Sequence, residues 1–151
     1  MATTGLPHWP WKAAEADALP EPERLLLDAA RAWAEAARRG APTLPALRHI
    51  LATENATEAA VPFEALLRTL AAHGLRLGCR LCPRLAPDEA ALLLTLACAQ
   101  RGPRREALAC LLRRLPPFEA YAATATAIAL GSALRRAGLR LADPWAARPT
   151  G

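Results

Sequence analysis

From residue 22 onward the chain keeps returning to one pattern. Apolar positions recur at intervals of three and four, and proline or glycine interrupts them at intervals suited to helix starts and stops. That spacing predicts a succession of amphipathic helices. The first spans Pro22 to Arg39. Pro22 suits an opening helical turn, Gly40 supplies the stop, and Leu26, Ala30, Trp33 and Ala37 form the inward stripe. Arg24 with Asp28, Asp28 with Arg31, and Glu35 with Arg39 are spaced to pair on its wet side. A shorter helix from Leu44 to Ala52 follows, capped by Thr43 and carrying His49. Thr53 to Thr57 reads as a loop. The third helix starts at Val61 or Pro62 and ends at His73, with Phe63, Leu66, Leu67 and Leu70 as its core stripe.

The periodicity then lapses. Leu75 to Cys82 alternates leucine with arginine, and Pro83 and Pro87 prevent a helix from crossing. A short extended loop is expected there. Pro87-Asp88-Glu89 opens the next helix, with its acids at the positive end of the dipole, and it runs to Arg101. Leu92, Leu93, Leu94, Leu96, Ala97 and Cys98 make it apolar on almost every face, so it should be the buried one. Pro103 opens a helix to Leu115, with Leu108, Leu111, Leu112 and Leu115 as its stripe. The last helix runs from Pro117 to Ala137. Phe118, Tyr121, Ala125, Ile128 and Ser132 share one side of it, beside Ala122, Ala129 and Ala133, and that side is expected to face the core.

The pattern is therefore all-α. It predicts a single-domain helical bundle of about five or six helices with a central cysteine-containing loop and irregular tails. The helical domain covers 20–141. Residues 1–19 form an extended Pro/Trp tail, and 142–151 a C-terminal tail containing Asp143-Pro144-Trp145. In the first tail, Pro7 and Pro10 rule out a helix around Trp9 and Trp11. Those tryptophans either dock on the protein's own surface or form a linear motif for a partner's groove.

Composition changes this picture in two places. The 151 residues, 53% hydrophobic, suffice to bury roughly 70% of the unfolded surface without a staple. Net charge is +5 but unevenly spread: residues 76 to 114 carry eight arginines against Asp88, Glu89 and Glu106, whereas residues 1 to 75 are slightly acidic. That asymmetry favours an anionic partner for the second half. A single lysine beside 18 arginines is also what a GC-rich genome produces, which weakens arginine abundance as a nucleic-acid signal. The start has neither a basic nor an apolar leader segment, and the uncharged run from Ala120 to Leu134 is too short and too weakly apolar to span a bilayer. A cytoplasmic protein without membrane contact is expected, with its four cysteines as thiols or metal ligands.

The one pattern with specific chemistry is Gly78-Cys79-Arg80-Leu81-Cys82-Pro83. A Cys-x-x-Cys turn can present two thiolates to one metal, and zinc takes four ligands. His73, Cys98 and Cys110 are the candidates for the remaining positions. A structural zinc is the first cofactor this set would hold, and an iron–sulfur cluster on all four cysteines the second. Against both stands the plain reading, in which Cys98 and Cys110 are small helix residues and Cys79 and Cys82 ordinary thiols. A redox dithiol is the third reading, with Arg76, Arg80 and Arg84 favouring thiolate, although no βαβ context accompanies it.

No phosphate loop, paired carboxylates or Ser–His arrangement is visible, so no catalytic residue is assigned and a non-enzyme is expected. The leading expectation is a small helical interaction or regulatory protein whose loop 78–84 is pinned, through a structural metal, and whose partner is a protein met by Trp9 and Trp11. The alternative is a nucleic-acid-binding regulator. Helices 87–101 and 103–115, joined by Gly102-Pro103, resemble a helix-turn-helix spacing with Arg104, Arg105, Arg113 and Arg114 on or beside the second helix. The third is a thiol-based redox sensor.

Overall fold

The computed structural model describes residues 15–146; Trp9, Trp11 and the rest of the 1–14 tail lie outside the described residues. Six α-helices form an all-α bundle, with no strand among the described residues beyond an isolated Glu15–Arg84 bridge. They are α1 (Glu21–Arg38), α2 (Thr43–Leu51), α3 (Ala60–Ala72), α4 (Pro87–Arg101), α5 (Arg104–Leu112) and α6 (Pro117–Arg136). Short 3₁₀ turns at Ala16–Ala18, Ala52–Glu54 and Thr57–Ala59 complete the secondary structure. The last two replace the plain loop expected from Thr53 to Thr57.

Helices α1, α3 and α6 each run out into a glycine, Gly40, Gly74 and Gly138, at positive φ, the left-handed geometry that closes a helix without a Cβ penalty. Thr43 does not cap α2. Its hydroxyl donates instead to Glu64 on α3 at 3.0 Å, tying those two helices together.

Helix α1 packs on α2, and α6 packs against α3, α4 and α5. One continuous core links Leu26, Leu47, Phe63, Leu67, Leu96, Leu111 and Leu130. Helix α4 is buried along most of its length, as its all-round apolar surface predicts. The face of α6 is the main departure from the sequence reading. Phe118 and Tyr121 are 86% and 58% exposed, and Ala125 and Ser132 are exposed with them. The buried face is Ala120, Ala123, Thr124, Ala127, Leu130, Gly131, Ala133 and Leu134, so of the expected side only Ala133 is fully buried. The reason is closeness of approach. A Cβ at Gly131 would lie 3.1 Å from Gln100 Cα, so α4 and α6 approach nearly backbone to backbone at that point and leave no room there for a larger side chain. Leu112, expected in the α5 stripe, is likewise 44% exposed, while Ala107 takes the buried place. Ala37, the last member of the expected α1 stripe, is also exposed.

The C-terminal segment after α6 is fastened to the bundle. Gln100, buried on α4, donates to the carbonyls of Gly131 and Leu139 and accepts from Leu141 N–H at 2.7 Å. Buried Glu23 accepts from Ala142 N–H at 2.6 Å. At the other end, Ala16 and Leu19 are buried, and Ala16 N–H donates to Pro83 O at 2.7 Å. The residues just before α1 thus lie against the cysteine loop.

Candidate functional site

The loop between α3 and α4 has no regular structure, so its backbone groups need partners elsewhere. They find them in three side chains, Arg31, Glu89 and Asp88. Arg31 of α1 and Glu89 of α4 are both buried and form a fork-to-fork pair, Nε to Oε2 at 2.7 Å and Nη2 to Oε1 at 2.9 Å. The remaining capacity of that pair is spent on the loop. Arg31 Nη1 donates to Cys82 O at 2.8 Å and Nη2 to Arg84 O at 3.1 Å. Glu89 accepts from Gly78 N–H at 3.1 Å and from Ala86 N–H at 2.8 Å. Asp88, held by Arg114, accepts from Arg76 N–H at 2.7 Å. Residues 76 to 86 are therefore hung from the first turn of α4 and the middle of α1. The Asp28–Arg31 pairing expected on a wet helix face is not formed, because Arg31 points inward.

On this fastened loop Cys79 is exposed and Cys82 half-buried, with their sulfurs 2.8 Å apart. Two thiolates on one tetrahedral zinc, with Zn–S about 2.3 Å, would sit ~3.8 Å apart. Cys79 is lowered from the ordinary thiol range, first by the Cys82 thiol donating to it, then by the Leu81 backbone and the field of Arg31. Cys82 is correspondingly raised by Cys79. Arg31, beneath the loop, is the cation that acts here, rather than the expected Arg76, Arg80 and Arg84. A shallow depression of about 340 Å³ adjoins Cys79, lined by Glu35, Arg38, Arg39, Arg80 and Leu81. Leu81, between the two thiols, is 91% exposed.

The other proposed ligands go elsewhere. Cys98 of α4 and Cys110 of α5 meet each other, away from the loop: each is the other's largest influence, burial raises Cys98 further, and Cys110 is lowered. His73, at the end of α3, pairs through Nε2 with Glu119 on α6 at 2.5 Å. Among the described residues no three His, Cys, Asp or Glu side chains are grouped to hold a metal, so Cys79, Cys82, His73, Cys98 and Cys110 do not converge as one site. Helices cannot bring them together: Cys98 faces the core near the far end of α4, three turns from the loop that precedes that helix.

The arginines of the nucleic-acid reading are also divided. Arg104 and Arg105 stand at the start of the nine-residue α5 and Arg113 and Arg114 just past its end, ~13 Å along the axis. Arg105 lies 3.6 Å from Glu106, and Arg114 is committed to Asp88. Sequence reasoning did not find Arg31 and Glu89. The signal was present: Glu89 opens a helix that is apolar all round, so an acid there has little water to face and needs a cation brought to it.

No helix among the described residues is long and apolar enough to cross a membrane. The chain matches no protein-family model, no curated protein and no solved structure.

Proposed function

We propose that this chain is a small helical regulatory protein in which Cys79 and Cys82 act as a dithiol–disulfide switch, read by a protein partner at the exposed loop. The observation that carries this reading is the contact of the two sulfurs at 2.8 Å on an accessible loop whose backbone is already fixed. The pinning that a metal would have provided is supplied by Arg31 and Glu89, which leaves the thiols unencumbered. Cys79, favoured as thiolate, is the attacking sulfur. It opens an incoming disulfide to a mixed disulfide, expelling one thiolate. Cys82 then displaces the second thiolate and closes the ring, its proton leaving to solvent. The arginines beside Cys79 suit an anionic small disulfide such as oxidised glutathione. Closing or opening the ring alters how Leu81 is presented, and that is the feature a partner would read.

The test is equilibration in glutathione buffers of graded poise, followed by acid quench, alkylation and peptide mass analysis. The expected result is a reversible Cys79–Cys82 disulfide, with Cys82→Ser stopping at a mixed disulfide on Cys79. A Cys82→Ser protein that kept the full oxidation response would sink the reading. So would about one zinc per chain, with both thiols masked until denaturation, in protein purified without chelator or metal-affinity tag.

A further inference from the structure

The second cysteine pair stands at the wall of a pocket. Between the end of α3 and helices α4 and α5 lies a cavity of about 410 Å³. Leucines, among them Leu92, Leu94 and Leu111, give one part of it an apolar surface, and Cys110, Thr95, His73, Arg113 and Arg114 make the rest polar. Cys110 is half-buried and lines this cavity, while Cys98, its neighbour on α4, is fully buried and does not line it. One sulfur is thus open to a small apolar molecule, and the other is reached through it.

We propose that Cys98 and Cys110 form a second dithiol, and that the pocket admits an apolar organic hydroperoxide which oxidises the pair to a disulfide. Cys110 attacks the terminal peroxide oxygen. The S–O bond forms, the O–O bond breaks, and the alkoxide leaves and takes a proton to become an alcohol. The sulfur is now a sulfenic acid. Cys98 attacks it, the S–S bond forms, the S–O bond breaks, and hydroxide departs as water with the Cys98 proton. Two thiols and one hydroperoxide give one disulfide, one alcohol and one water. The neighbouring Arg113 and the thiol of Cys98 favour the charged form of Cys110, and Arg113 also favours the departing alkoxide. The leucines on one side of the cavity favour a hydroperoxide with a hydrocarbon body over hydrogen peroxide. This site is chemically independent of Cys79 and Cys82 and does not rest on the switch proposed for them.

The experiment uses the full chain carrying Cys79→Ser and Cys82→Ser, so that only the second pair can respond. Cumene hydroperoxide is added, and samples are quenched, alkylated and mapped by mass. A Cys98–Cys110 disulfide is expected, forming roughly tenfold or more faster than in the same chain unfolded in urea, and faster than with equimolar hydrogen peroxide. Adding Cys98→Ser should leave a sulfenic acid on Cys110 that dimedone traps. If both thiols remain alkylatable under conditions that oxidise free cysteine, or if folded and unfolded chains react alike, the proposal is overturned. A Cys98→Ser chain without a dimedone adduct on Cys110 overturns it equally.

Discussion

Arg31 and Glu89, 58 residues apart in sequence, close on each other through two hydrogen bonds in a place shut off from water, and the cysteine loop hangs from both. A pair so placed gains stability only while complete. Arg31→Met leaves a buried carboxylate without its cation and the carbonyls of Cys82 and Arg84 without partners. It should cost about 3–5 kcal/mol, and Glu89→Leu a similar amount. The double variant Arg31→Met/Glu89→Leu should recover part of that loss, because neither charge is then stranded, but not all of it, because the loop contacts at Gly78, Cys82, Arg84 and Ala86 are still missing. Urea unfolding of the three variants measures this directly. Strict additivity of the two single losses would contradict the coupling.

That pair also marks where sequence reasoning stops. Helix positions were legible because apolar spacing and Pro/Gly punctuation act locally: the helix expected to open around Pro87-Asp88-Glu89 and end about Arg101 spans Pro87–Arg101, and Phe63, Leu66, Leu67 and Leu70 are all buried as their spacing requires. Which face of a helix turns inward was legible only where one stripe clearly dominated. On α6 more than one face carries small and apolar residues, and the one that turns inward is chosen by the close approach of α4 at Gly131, which is set by a helix elsewhere in the chain. The same holds for the cysteines. Their sequence spacing carries no information on which helix faces they occupy, so Cys98 with Cys110 emerged only from the packing of α4 on α5.

The crossing at Gly131 yields a pair of opposed expectations. Gly131→Leu forces a side chain against Gln100, whose Cα would lie 3.1 Å from the new Cβ. Overpacking of this kind costs about 1–3 kcal/mol, and here it also disturbs the Gln100 contact with Gly131 O. Phe118→Ser, although it removes an aromatic ring, should change stability by no more than ~0.5 kcal/mol, because that ring is in water. Thermal unfolding of both variants checks the orientation of α6. A large loss at Phe118 would mean that the helix is turned the other way.

A buried acid, Glu23, and a half-buried one, Asp88, should respond to pH in opposite directions. Burial raises Glu23 above the usual carboxylate range against the smaller opposing pull of Ala142 N–H and Arg101, and its Oε2 has no hydrogen-bond partner. A raised acid holds its proton in the folded state, so the stability it allows is greatest below the unfolded value and falls as pH rises through the folded one. For Asp88 burial also pushes upward, but Arg76 N–H and Arg114 outweigh it and leave the carboxyl lowered. Its contribution is present above the unfolded value and is lost as pH falls through the folded one. Glu23→Gln should therefore gain on the wild type as pH rises from about 4 to 7. Asp88→Asn should be penalised at neutral pH and converge on the wild type in acid. Urea midpoints across that range give both slopes, and slopes of the same sign would reject the assignment.

Cys79 and Cys82 provide the sharpest reading of how the loop works, because each is the chief influence on the other. Cys79 is lowered first of all by the Cys82 thiol, and only afterwards by the loop backbone and Arg31. Iodoacetamide should accordingly modify Cys79 ahead of Cys82, since the thiolate is the reactive form and Cys82 is raised once Cys79 is charged. Replacing Cys82 by alanine removes the leading donor, so the alkylation profile of Cys79 should move to higher pH. Replacing it by serine, which still donates, should move the profile much less. Arg31→Met should shift it upward by a smaller step than Cys82→Ala, because the guanidinium acts through its field and by holding the Cys82 carbonyl, not by direct contact with the Cys79 sulfur. Peptide-resolved alkylation rates from about pH 6 to 9 distinguish these cases. If Cys82→Ala left the Cys79 profile in place while Arg31→Met moved it, the buried arginine and not the neighbouring thiol would be what charges the loop.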